Sequence, residues 1–396
     1  MLLNKCFCLA LIILLTVSAV GMLGCIEKEQ EPVKVGVVFE ACGLDDAFNN
    51  LCFAGAKRAE DELGISSEYV VATAAPEFEE LQRSYAESGE YALIICTGAN
   101  QADAVMNVSA DFPGQNFALI DRAVAERANV AAFIFRDEES SFLAGALAAM
   151  VTKTDKLGFV GGMDIPAINR FLVGYQAGAQ YINPECEIMF SYAGSWSDPD
   201  KGKELAVAQY DAGADIIFAA AGLSGEGVID AAEERGLYAI GVDTDQRYLA
   251  PDNVLVSVLK RTDVVIFASI KETVEGDFKG EVRSLGLKED GVGISLDNAL
   301  PIVSDEMKAR ISEISGKILS GEIAIPATIA AASGGRTFVV NATPSVPPFW
   351  KSVPGFESPQ ADIRVQKHPA FYAEPCSYRC RAYRMEQTDA PSRLQW

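Results

Sequence analysis

The chain has 396 residues, more than one hydrophobic core usually organises, so two domains or lobes are expected. Its 49% hydrophobic and 22% charged residues exclude a disordered or collagen-like chain. With 33 basic residues against 55 acidic, the net charge of −22 repels phosphate backbones, so no nucleic-acid partner is expected, and one histidine, His368, leaves no Ser-His-Asp triad in the body and no multi-His metal site.

Residues 2–24 read as an export signal, with Lys5 as the positive start and an apolar run at 8–20 of signal-peptide length. A retained membrane span would need Gly21 to Gly24 as well. The box Met22-Leu23-Gly24-Cys25 favours processing instead, with a small residue before a cysteine that takes lipid. A charged tether at 25–32 follows. The reading is a protein lipid-anchored through Cys25 to the cell membrane, on its extracytoplasmic side. The later cysteines (Cys42, Cys52, Cys96, Cys186, Cys376, Cys380) form no CxxC pair, so no zinc or other metal is expected. Cys96 and Cys186 lie in or beside apolar strands and read as small buried hydrophobes.

From residue 33 short β-rich runs alternate with helical stretches. Strands are predicted at 35–39, 68–72, 92–96, 117–120 and 130–135, with helices at 49–63, 77–88 and 102–110. The pattern restarts with a helix at 140–152, followed by strands at 156–160, 187–191, 215–219 and 238–242. Helices at 168–182, 201–212 and 225–236 lie between these. Strand–helix–strand at this pitch implies parallel pairing with right-handed crossovers, hence two tandem α/β lobes whose strand tips face a shared cleft. Residues 327–396 differ in kind: 8 of the 17 prolines lie there, the local charge is positive and periodicity disappears. They read as a Pro-rich tail without regular structure.

Several segments resemble the basic membrane protein family of lipoproteins, the solute-binding receptors of ABC importers that include purine-nucleoside receptors. They are GLDDAFN (43–49), GFVGGMDIP (158–166), Arg170-Phe171, YAGSW (192–196), GADIIF (213–218), AAAG (219–222), GVDTDQ (241–246), YLAP (248–251) and Lys260-Arg261. The likeness runs through about residues 33–326 in order. It implies a type I periplasmic-binding-protein fold: two Rossmann-like lobes with parallel sheets and an interlobe cleft. Lobe 1 would span 33–136 with about 262–280 returning to it, and lobe 2 137–261 with about 281–326. It also implies a monomeric binder without a cofactor, not an enzyme, that takes a nucleoside and meets ABC permease and ATPase subunits.

Asp45, Phe48 and Asn49 lie in the turn after the first strand and at the next helix start. Capping of that helix and ligand contact are both open for Asp45. Phe48 is on the cleft side, where a flat ring stacks on bases or sugars. In the resemblance one aromatic from each lobe sandwiches the base; Trp196 is the preferred partner of Phe48, and Phe171 the fallback, since a Phe on a helix face is more often core. Asp121 and Asp243 end strands of different lobes, and a carboxylate accepts the two hydroxyls of a ribose diol. The resemblance gives Lys260 to the ribose too; the alternative is a surface lysine paired with Asp263. Gly222 either lets backbone approach a ligand or serves a turn. Three aspartates also suit glycosidic cleavage, yet no nucleophile–base pair is legible, and both Gly-x-Gly-x-x-Gly after the first strand and GxxxxGK[ST] are missing. A sensor reporting to a membrane kinase remains the alternative within the binding class.

Overall fold

The computed structural model describes residues 31–328 and a strand at Thr337–Val339. The export signal, Cys25, most of the tether, and the tail positions His368, Cys376 and Cys380 lie outside the described residues.

Lobe 1 opens with β1 (Lys34–Phe39), α1 (Ala47–Leu63), β2 (Ser66–Val71), α2 (Phe78–Ser88), β3 (Leu93–Thr97), α3 (Ala102–Asp111), β4 (Asn116–Ile120) and β5 (Val130–Phe135). Lobe 2 follows with α4 (Asp137–Val151), β6 (Lys156–Gly161), α5 (Pro166–Ile182), β7 (Glu187–Tyr192) and α6 (Pro199–Asp211). It continues through β8 (Ile216–Ala220), α7 (Leu223–Arg235), β9 (Tyr238–Asp243) and β10 (Val254–Lys260). Then α8 (Thr262–Glu275) and β11 (Val282–Leu285) return to lobe 1, whereas β12 (Val292–Ile294), α9 (Asp305–Leu319) and β13 (Thr337–Val339) belong to lobe 2.

The first sheet runs β11-β5-β4-β3-β1-β2, with every pairing parallel. The second runs β12-β10-β9-β8-β6-β7-β13 and is parallel except where β12 meets β10. Helices cover both faces, so central strands such as β3 (LIICT) are buried throughout, which is why they read as unbroken apolar runs. Asp46 caps α1 and Gly64, at φ 66°, ends it. The returning α8 packs Val265, Ile266 and Ile270 against Ala56 and Ala59 of α1 in the lobe 1 core. The lobe 2 core places Phe159, Phe171, Tyr175 and Phe218 between its sheet and α4–α5.

Three differences from the sequence reading matter. Strand β10 (VLVSVLK) lies in a stretch with no predicted element, because Ser257 breaks its apolar run and Lys260 closes it. The return to lobe 1 does not stop at residue 280: Val282 to Leu285 pair in register with Ala132 to Phe135, so it runs through β11. Within the stretch assigned to a structureless tail, Thr337–Val339 pairs in parallel with Ile188–Phe190 of β7, closing an edge that would otherwise stand open.

Candidate ligand-binding site

The C-terminal strand tips of both sheets face a cavity between the lobes, the place where open parallel sheets bind ligands. From lobe 1 it is lined by Glu40, Cys42, Asp46, Phe48, residues 98–100 and Asp121; from lobe 2 by Ile165, Ala167, Ile168, Phe171, Trp196, Ala220, Gly222, Val242, Asp243 and Lys260. Its volume is about 60 Å³, room for about five waters.

The two strand-tip aspartates share a backbone device. Asp121 follows β4 at φ 76° and Asp243 ends β9 at φ 66°, both in the left-handed region that Asp tolerates better than most side chains. Lys260, the last residue of β10, reaches between the lobes, with Nζ 2.8 Å from Asp121 and 3.4 Å from Asp137. It is 2% exposed, and its ammonium lies 5.8 Å from the Phe48 ring centre and 5.1 Å from those of Phe135 and Phe171. Burial works to discharge this lysine, but the carboxylates of Asp121, Asp137 and Asp243 hold its pKa above the ordinary value. The surface pairing with Asp263 is not formed: Asp263 pairs with Arg261 at 3.3 Å. Burial raises the Asp137 carboxyl, against the pull of Lys260, and pushes Asp243 up to about 7.

Asp46 and Asp45 exchange the positions foreseen for the turn. Asp45 is exposed and does not line the cavity, whereas Asp46 is buried and does. Asp46 Oδ1 accepts the backbone N–H of Phe48 at 3.1 Å and of Asn49 at 3.2 Å. The backbone N–H of Leu223, the first residue of α7 in the opposite lobe, helps to hold the Asp46 carboxyl down against the burial that raises it. One carboxylate thus caps one helix and faces the N-terminus of another across the cleft. Gly222, at φ 57°, permits this approach: a Cβ there would come within 2.7 Å of Asp46 Oδ2.

Asn49 stands behind the wall. Its Nδ2 donates to the carbonyls of Glu40 at 3.0 Å and Gly43 at 2.8 Å, so it shapes the β1–α1 turn without lining the cavity. Phe171 is core and cavity wall at once: it packs edge-on against Phe218 at 5.9 Å in the lobe 2 core and also borders the cavity. Trp196 and Phe48, both half-buried, enter the lining from opposite lobes.

Residues that the sequence reading did not single out complete the site. Glu40 follows β1; Asn100 donates to its Oε1 at 2.7 Å, its Oε2 has no hydrogen-bond partner among the described residues, and burial pushes its carboxyl up to about 7. The strand-tip rule applied to Asp121 and Asp243 applies equally to Glu40. Arg170 stands 3.5 Å from Asp137 and 3.8 Å from Asp121, the second cation of a buried ion group at the crossing between lobes. Nothing in its sequence neighbourhood marks that role. Cys42, beside Asp46, and Cys52, Cys96 and Cys186 are buried free thiols.

A family model described as ABC transporter substrate-binding protein, PnrA-like, matches residues 32–328. The chain belongs to this Bmp family. It is 33% identical over 322 residues to the ABC transporter nucleoside-binding protein BmpA of Lactococcus lactis, covering 76% of this chain and 90% of that protein. An uncharacterized lipoprotein of Pyrococcus abyssi is 34% identical over 301 residues, covering 71% of this chain and 74% of its own. A crystal structure of an ABC transporter solute-binding protein from Aeropyrum pernix superposes with a TM-score of 0.71 at 32% identity, covering 76% and 95% of the two chains. This Bmp-family chain is therefore an ABC-transporter substrate-binding protein with a two-lobed type I periplasmic-binding fold, and its partners by family are a small-molecule ligand and an ABC permease.

Proposed function

We propose that this Bmp-family protein is exported, anchored by lipid on Cys25 outside the membrane, and holds a purine nucleoside between its lobes for delivery, as a monomer, to an ABC importer. The observation that carries the reading is the lining of one cavity by flat rings of both lobes, Phe48 and Trp196, together with Asp121, Asp243 and Lys260. Stacking on aromatic faces is worth roughly 1–3 kcal/mol per base. The two aspartates accept the ribose hydroxyls, and Lys260 donates to an oxygen of the same sugar. Four carboxyl groups in the lining, Glu40, Asp46, Asp121 and Asp243, oppose a phosphorylated ligand. The name of the Lactococcus relative supports a nucleoside, and that of the Pyrococcus relative supports the lipid anchor.

Thermal-shift screening followed by calorimetry tests this, with nucleosides, free bases, ribose, hexoses and nucleoside 5′-monophosphates. Purine nucleosides should raise the melting temperature most and the monophosphates least. A panel in which a hexose stabilises the protein and no nucleoside does would reject the reading.

A further inference from the structure

The lobe 1 wall of the cavity carries a side-chain amide whose direction is fixed. Asn100 stands in the short turn between β3 and α3 and lines the cavity. That turn is tied to β1: Gln101 Nε2 donates to the carbonyls of Val38 at 2.8 Å and Thr97 at 2.7 Å, and Thr97 Oγ1 accepts the N–H of Glu40 at 3.2 Å. Glu40 Oε1 in turn accepts from Asn100 Nδ2 at 2.7 Å. A carboxylate only accepts, so turning the amide over would set its carbonyl oxygen against that carboxylate. The other carboxylate oxygen is backed by bare backbone, since a Cβ on Gly98 would fall 2.2 Å from Oε2. With one Nδ2 hydrogen committed to Glu40, the amide keeps an acceptor, Oδ1, and one donor, the second Nδ2 hydrogen. Neither has a partner among the described residues, and Asn100 is exposed, so a ligand can reach both.

We infer that Asn100 reads the edge of the bound base and selects a 6-aminopurine over a 6-oxopurine: Oδ1 accepts the 6-amino N–H while the free Nδ2 hydrogen donates to the ring nitrogen beside it. Glu40 is a positioning residue that sets which way the amide faces. This rests on the purine-nucleoside reading above. Adenine carries a donor next to an acceptor on that edge, the pattern an asparagine amide matches with two hydrogen bonds. Hypoxanthine and guanine present an oxygen at position six, and the amide held by Glu40 meets it acceptor to acceptor. That mismatch discriminates more strongly than the hydrogen bonds attract.

Calorimetry at pH 8, above the value of about 7 to which burial pushes the Glu40 carboxyl, decides it. The proteins are the native chain, Asn100→Ala and Glu40→Gln. The ligands are adenosine, inosine and purine riboside, which has no group at position six. The native chain should prefer adenosine to inosine at least about fivefold and should bind purine riboside more weakly than adenosine. Asn100→Ala should bring both differences near zero, the non-additivity of a direct contact. Glu40→Gln, whose amide can accept from Asn100 or donate to it, should narrow the preference mainly by strengthening inosine, a gain that mere damage to the wall would not give. An adenosine preference that Asn100→Ala leaves intact overturns the inference, and so does a native chain that binds inosine as well as adenosine. A preference unchanged in Glu40→Gln overturns the positioning role. Asn100 is exposed, so Asn100→Ala should fold and carries the test should Glu40→Gln not fold. A native chain that binds purine nucleosides without this pattern defeats the inference alone, whereas one that binds no nucleoside defeats the functional reading and the inference together.

Discussion

The Lys260 ammonium lies 2.8 Å from the Asp121 carboxylate, joining the end of β10 in lobe 2 to the tip of β4 in lobe 1. Removing one partner of a buried ion pair leaves an uncompensated charge and costs roughly 3–5 kcal/mol. Lys260→Met should lose up to that much at pH 8, because Asp121 and Asp137 are left with the more distant Arg170 alone. Part of the loss should return near pH 6, where the Asp137 carboxyl, raised by burial and relieved of Lys260, takes up a proton. Denaturant unfolding at the two pH values measures this, and a variant as stable as the native chain at pH 8 contradicts the ion group.

The carboxyls of Glu40 and Asp243 are raised by burial from 4.5 and 3.8 to about 7. Between those limits the folded chain holds more protons than the unfolded one, so this contribution to stability falls as pH rises from about 4 through 7. The two carboxyls therefore favour the acid end of that window. The native chain should be less stable at pH 8 than at pH 5.5, and Asp243→Asn should flatten the slope. A slope unchanged by Asp243→Asn removes that residue as its source.

Asp46 caps α1 and faces the N-terminus of α7 across the cleft, two roles that different substitutions separate. Serine keeps an N-cap but is too short to span the cleft, whereas alanine loses both and costs about 1 kcal/mol for the cap. Asp46→Ser should stay near native stability yet show a larger radius of gyration without ligand in X-ray scattering. An unchanged radius would mean that this carboxylate does not hold the lobes.

Gly162→Ala places a methyl group where the Trp196 ring now lies, 2.3 Å from Cζ3. Overpacking of this kind costs about 1–3 kcal/mol. The indole must shift, so nucleoside affinity should fall more than tenfold and the tryptophan emission should move. Native affinity with a native spectrum would show that the ring has room to spare.

Most of the architecture is legible because buried parallel strands announce themselves as apolar runs, as in β1, β3 and β8, the last two bounded by glycines. The site is legible where one rule covers it: acids at strand tips identify Asp121 and Asp243, and a cleft-side ring identifies Phe48. Asp45 and Asp46 are neighbouring acids in one turn, and only the helix start at Ala47 tells which of them caps. Asp137 escapes for a related reason. The first turn of α4 is Asp137, Glu138 and Glu139, so apolar periodicity begins at residue 140 and predicts the helix start too late. Those acids suit a helix N-terminus electrostatically, which periodicity does not register. Arg170 belongs to the ion group only through folding, since its partners Asp121 and Asp137 come from distant stretches of chain.

The left-handed bends at Asp121 and Asp243 limit what can replace those residues in descent. Asparagine and glycine tolerate such a bend, while β-branched side chains resist it. Mutational exploration of the chamber is thus channelled to its aromatic and aliphatic positions, so a lineage shifting its diet would remodel those faces long before it surrendered either acid.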